Sequence, residues 1–169
     1  LMPSDGYKLY AWLLAQIPSD AAEALHSQQD HPISQFVTID KEKDTSIWNI
    51  HLLNTGASEL FTPVIESIET ISLHTGEISV VSKLPKTEIQ FEDIIRQARQ
   101  TTSLCTEIQF RSAVSFKQNG RYVIFPQEKL ILQSLVNRWN SFCEEYPLCD
   151  PDALRMLESG IYIRDYTLK

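Results

Sequence analysis

His26 closes a short helical pattern that runs from Ala21 to Ser27, directly after the apolar Leu25. Histidine is the side chain whose unperturbed pKa lets it give or take a proton near neutral pH. Far downstream, Lys117 follows Phe116 and precedes Tyr122, so a cation beside rings could hold a phosphate and a base. Together these residues point to acid–base chemistry on RNA. Position alone also gives each a plainer role. His26 can be a solvated histidine at a helix C-terminus and Lys117 a solvated hairpin lysine, while Tyr10, one turn before Leu14, can be half-buried core.

The other candidates carry less chemistry. His31 lies five residues after His26 and next to Pro32, so the two share no helix face and make no metal pair. His31 reads as a turn residue, as does His74 before Thr75-Gly76. His51, between Ile50 and Leu52, reads as the solvent face of a strand. Cys143 and Cys149 straddle Pro147 without further ligands, and no phosphate loop, dinucleotide fingerprint or zinc motif occurs. Neither a metal nor a cofactor is expected. Lys83, Lys86, Arg96, Arg99, Arg111, Lys117 and Arg121 could line one groove, with acidic residues interleaved.

Composition pulls the other way. The formal net charge is −7, whereas binding to a phosphate backbone is driven by Lys and Arg releasing counterions. Charge alone favours a soluble enzyme or a ferredoxin-like domain that binds a small ligand or a protein. An RNA function must rest on a local basic stripe. No run of eighteen apolar residues occurs, which excludes a transmembrane helix. The N-terminus carries no secretory signal pattern, and three cysteines form no framework of pairs. The expectation is a cytoplasmic protein whose cysteines are buried or half-buried packing.

The elements that must position these residues follow from periodicity. Ser4 or Asp5 caps a helix carrying Leu9, Trp12, Leu13 and Ile17, and Pro18 interrupts it before the His26 helix. Strands are predicted over Ile33–Asp40 and Ser46–Leu53, joined by a charged turn. Asn54-Thr55-Gly56 reads as a turn and Glu59–Ile68 as a helix with Pro63 in its first turn. Ile71–Leu73 and Ile78–Val81 form a predicted hairpin. With a strand placed before Leu1 the order becomes βαββαβ, the ferredoxin-like arrangement. A second part starts with a helix at Phe91–Arg99. A long strand Glu107–Phe116 then returns through Asn119-Gly120 to Arg121–Phe125. A helix from Pro126 to Tyr146 should bury Ile131, Leu135, Trp139, Phe142 and Tyr146, and Asp150 caps another helix to Glu158. The alternating Ile161–Lys169 reads as a strand without a partner.

The succession Gly6-Tyr7-Lys8-Leu9-Tyr10-Ala11-Trp12, Ala24-Leu25-His26, Val114 to Pro126 and Ile131 to Trp139 resembles the CRISPR repeat-processing endoribonucleases of the RAMP superfamily, especially those serving type III systems. The resemblance runs along nearly the whole chain. It implies an α+β fold of two ferredoxin-like domains: residues 1–100 the first, lacking its first strand, and 101–169 the start of a second. Nothing here matches the family's glycine-rich loop, and only five glycines occur. By the resemblance His26 is the catalytic histidine and Tyr10 matches the family's first-helix tyrosine. Lys117, Arg121 and Arg111 are candidates for holding RNA. The family's nearby lysine has no match, since Lys41 is the first lysine after His26. The implied activity is metal-independent cleavage of CRISPR precursor RNA within its repeats. The 2′-hydroxyl would attack, leaving a 2′,3′-cyclic phosphate and a 5′-hydroxyl. The alternative is a non-catalytic RAMP subunit that binds guide RNA in an effector complex. Implied partners are CRISPR repeat RNA, other CRISPR-associated proteins of a type III complex and a second copy in a homodimer, with no membrane.

Overall fold

The structure, a computed structural model, describes residues 1–28, 30–40, 42–103, 105–110 and 114–167. The chain divides into two compact units, Leu1–Ser103 and Leu104–Lys169. Three two-stranded antiparallel sheets and six α-helices among the described residues make a mixed α and β architecture, compatible with the expected ferredoxin-like class.

In the first unit a 3-10 turn at Pro3–Asp5 leads into helix α1, Gly6–Leu14. The Asp5 carboxylate accepts from Lys8 Nζ and from the Met2 backbone amide, each at 2.9 Å; those bonds hold its pKa below the ordinary carboxylate value. Helix α1 buries Leu9, Leu13 and Leu14, one stripe at helical spacing. Pro18 separates it from α2, Ser19–Ser27, which buries only Leu25. Strands β1 (Ile33–Asp40) and β2 (Thr45–Leu52) pair antiparallel, with Ile33, Gln35 and Val37 opposite Leu52, Ile50 and Trp48 on the face toward α1. In their loop Asp40 Oδ1 accepts from the amides of Glu42 and Lys43, an Asx-type turn.

Helix α3 spans Thr55–Ser67 and buries Ala57 and Phe61. Strands β3 (Thr70–Leu73) and β4 (Gly76–Ser79) form a second hairpin whose turn needs Gly76 at φ 134°. Two buried clusters result. Leu13, Leu14, Ile17, Leu25, Ile33, Ala57 and Phe61 make the first; Leu9, Val37, Ile68 and Ile71 make the second. Helix α4, Phe91–Gln100, has no buried residue.

In the second unit β5 (Phe116–Gln118) and β6 (Arg121–Val123) close through Asn119 and Gly120, both at positive φ. That is the two-residue turn which matches the twist of antiparallel strands. Helix α5 covers Glu128–Phe142. Asp150 caps α6, Pro151–Gly160, by accepting from the amides of Asp152 and Ala153.

Several expectations are corrected. Asn54 is an N-cap, its side-chain oxygen accepting from Ala57 N at 2.8 Å, so α3 starts before Glu59 and Pro63 lies in its interior. Pro63 is exposed there, so the carbonyl that its missing N–H leaves without a helical partner is on the solvent side of α3. Of the strand expected over Glu107–Phe116, residues 111–113 lie outside the described residues, and the described part is strand only at Phe116, where β5 (Phe116–Gln118) begins; the described residues 161–167 form no strand. Helix α5 buries Leu130 and Val136, with the buried Cys143 just past its last residue, while Leu135 is 57% exposed. Its inward face is therefore rotated from the stripe read in the sequence. Cys143 is buried as expected, but Cys105 and Cys149 are exposed. No helix among the described residues is long and apolar enough to cross a membrane.

Phe61 is fully buried where α3 meets α1. Phe61→Ala is expected to cost about 3–5 kcal/mol in urea unfolding of the chain. Asn54→Ala is expected to cost about 1 kcal/mol through loss of the cap. A Phe61→Ala loss below that of the cap variant would show that α3 does not close this core.

Candidate functional site

Helices α1 and α2 and the link into β1 gather the candidates of the first unit. Leu25 is anchored in the first cluster, so the next residue, His26, emerges on the exposed side of the last turn of α2. Its place at a helix C-terminus follows from the sequence, because Gln28 leaves the helical region at ψ 139°. Tyr10 projects from α1 and packs against the same cluster as Leu25. One hydrophobic nucleus thus supports both predicted residues.

The sequence did not disclose the setting of His31. Pro32 is buried, and its carbonyl accepts from Leu53 N at 2.9 Å, which pins the approach to β1. His31 is held against Tyr10 with ring centroids 6.2 Å apart and planes at 72°, an edge-to-face contact. Tyr10 Oη and His31 Nδ1 are both buried without a hydrogen-bond partner. Two such atoms are unusual, since an unsatisfied buried polar group costs about 1–3 kcal/mol. Burial also pushes the Tyr10 phenol above its ordinary pKa, so it stays protonated at neutral pH. The buried oxygen does not itself reach solvent in this conformation. The signal lay twenty-one positions apart in sequence and needed the α1–β1 packing to appear.

The remaining histidines behave as read. His51 is exposed on the outer face of β2, 5.6 Å from the Phe36 ring, and His74 is exposed in the β3–β4 turn. Among the described residues no cluster of histidine, cysteine and carboxylate side chains is arranged to hold a metal ion.

In the second unit Lys117 stands directly opposite Tyr122 across the β5–β6 ladder, and both are exposed. Arg121 faces Gln118, in the next register pair, so it occupies the other face of the hairpin. The structure therefore joins Lys117 with an aromatic ring and separates it from Arg121. Neither cation forms an ion pair with a described residue. Arg111 lies outside the described residues.

A family model described as CRISPR-associated endoribonuclease Cas6 matches residues 108–162. The chain is 28% identical over 163 residues to a Streptococcus thermophilus protein named CRISPR-associated endoribonuclease Cas6, covering 96% of this chain and 66% of that protein. It is 23% identical over 164 residues to a Mycobacterium tuberculosis protein of the same name, covering 94% of this chain and 51% of that protein. The chain thus spans about two thirds of the length of the first of these relatives and about half of the second.

The raised Tyr10 pKa has a stability consequence. An unfolded tyrosine ionises near its ordinary value of 10.0, whereas the buried phenol holds its proton to higher pH. The folded state then binds more protons, so stability is full below pH 10 and falls as pH rises from there. Urea midpoints measured between pH 8 and 11 should show this fall, and Tyr10→Phe should remove that component. An unchanged slope in Tyr10→Phe would mean that the phenol titrates as a solvated group.

Proposed function

We propose that this chain carries the histidine-bearing part of a Cas6-type endoribonuclease that cuts CRISPR precursor RNA within its repeats. The observation that carries the reading is the placement of His26. It is solvent-exposed at the end of α2 directly after the buried Leu25, in a chain of which 94–96% aligns with two proteins named CRISPR-associated endoribonuclease Cas6, over 51–66% of their length.

The chemistry suits what these residues can do. RNA supplies its own nucleophile, the 2′-hydroxyl, so attack on the adjacent phosphorus needs orientation above all. The 2′-oxygen forms a bond to phosphorus while the bond to the 5′-oxygen breaks. An imidazole can take the proton of the hydroxyl or deliver one to the departing oxygen. The products are a 2′,3′-cyclic phosphate and a 5′-hydroxyl, and no water or metal-bound hydroxide is consumed. In the second unit the Lys117–Tyr122 face offers a cation for a phosphate and a ring on which a base can stack. Arg121, on the opposite face, contributes less to that contact.

Full-length protein incubated with repeat RNA in EDTA provides the test. His26→Ala should lower the cleavage rate by about 10²–10⁴ while RNA affinity is retained. A 2′-deoxy substitution at the scissile nucleotide should stop cleavage by the unaltered protein. Unchanged cleavage in His26→Ala would remove this histidine from the mechanism. Binding of repeat RNA with no cleavage by the unaltered protein would favour the non-catalytic RAMP subunit. Separately, Lys117→Ala should weaken binding of single-stranded RNA and reduce its salt slope by about 0.7, the loss of one phosphate contact. Arg121→Ala should have a smaller effect, and an equal one would place RNA across both faces of the hairpin.

A further inference from the structure

The first unit contains a pair of groups that the histidine of α2 leaves unused. Tyr10 Oη and His31 Nδ1 are each buried and unpartnered, and their rings are in edge-to-face contact. The atoms are complementary, since a phenol is a hydrogen-bond donor and an unprotonated ring nitrogen is an acceptor. Joining them satisfies both at once. Neither atom has another hydrogen-bond partner in the structure.

We propose that Tyr10 and His31 work as a unit on RNA. The phenol donates to His31 Nδ1, which places the ring proton on Nε2 and directs that N–H toward a phosphate oxygen at the cleavage site. The two rings already meet edge to face at 6.2 Å, and the far end of the α2–β1 link that carries the imidazole is fixed by the Pro32 carbonyl. His31 Nε2 is not among the buried unpartnered atoms and has no partner among the described residues, so it is the ring nitrogen left for a ligand. A neutral imidazole has one donor and one acceptor, and a partner at one nitrogen settles the other.

The assignment gives Tyr10 a positioning role, in place of direct contact with the RNA. Its hydroxyl is buried, so it acts through the histidine. Burial also keeps that hydroxyl protonated, as the donor role requires. His31 supplies a hydrogen bond to charge that builds on the phosphate oxygens as the 2′-oxygen attacks. It neither gives nor takes a proton, and His26 keeps the acid–base work. The inference rests on the nuclease reading above for its ligand, an RNA phosphate. The Tyr10–His31 bond itself does not depend on that reading.

Two experiments keep these layers apart. Long-range 15N–1H spectra of the His31 ring in the RNA-free protein should show the proton on Nε2 and a hydrogen-bonded lone pair at Nδ1. In Tyr10→Phe that Nδ1 signal should move toward the value of a free imidazole. A proton on Nδ1, or a spectrum unchanged by Tyr10→Phe, overturns the pair whatever the protein does to RNA. Single-turnover cleavage of repeat RNA by the full-length protein tests the catalytic part. His31→Ala should slow cleavage by at least tenfold, and His31→Gln, which keeps an N–H near the Nε2 position, should recover most of the loss. Tyr10→Phe should slow the unaltered background but have no further effect in His31→Ala. Multiplicative losses, or no rescue by glutamine, overturn the unit as a phosphate donor. Loss of cleavage in His31→Ala with none in His26→Ala would instead overturn the role given to His26 and leave the pair standing.

Discussion

The first unit depends on helix α1 being apolar around most of its circumference. Leu9 and Leu13 are wholly buried, and they belong to different clusters: Leu13 packs with α3 and the start of β1, Leu9 with Val37 and the β3–β4 hairpin. Trp12 touches both clusters from α1, and Trp48 does so from β2. Two separate hairpins and a helix thereby share one support. Fully burying a Leu side chain contributes about 1.5–3 kcal/mol, and nonpolar contact has no preferred direction. Apolar burial makes the assembly compact without deciding how α1 is rotated.

The rotation is fixed by one polar bridge. Gln35, on the inner face of β1, accepts from Trp48 Nε1 at 2.6 Å and donates to the Gly6 carbonyl at 2.6 Å. Its amide ties the β1–β2 hairpin to the first turn of α1. Gly6 approaches closely here, and a Cβ on it would lie 3.6 Å from the Gln35 side-chain nitrogen, an ordinary contact. Rotating α1 by one residue would break this bond and carry Tyr10 away from His31. A partly buried amide with both ends satisfied is costly to disrupt, because each freed group would stay out of water. Hydrophobic area holds the unit together, and hydrogen-bond direction sets where the phenol sits.

What could be read in the sequence divides along the same line. Local signals sufficed for α1, for the break at Pro18, for the two early strands and for Asn119-Gly120, because periodicity and turn chemistry act within a few residues. The position of His26 at a helix end was legible for that reason. Asn54 was misread because asparagine both turns chains and caps helices, and only its bond to Ala57 N distinguishes the two. The inward face of α5 was misread because Ile131, Leu135 and Trp139 are apolar at good spacing, yet so are Leu132, Val136, Trp139 and Cys143. Which stripe goes inside depends on the partner surface. The Tyr10–His31 contact and the split of Lys117 from Arg121 are consequences of packing and register, and single residues do not announce either.

The acidic balance of the chain looks opposed to an RNA function, but distribution decides the matter. Six cations are already engaged with carboxylates: Lys8 with Asp5, Lys43 with Asp40, Lys86 with Glu88, Arg96 with Asp93, Lys129 with Glu158, and Arg155 with Asp152. All six pairs are largely solvent-facing and neutralise the surface locally, at little gain in stability. Lys117 and Arg121 on the β5–β6 hairpin have no such partner among the described residues. At physiological salt a surface charge is felt over about 8 Å, so the net charge of the whole chain does not by itself set the potential at this hairpin. A phosphate reaching that hairpin meets a free ammonium and an exposed tyrosine ring on one face, whatever the sum of charges over 169 residues.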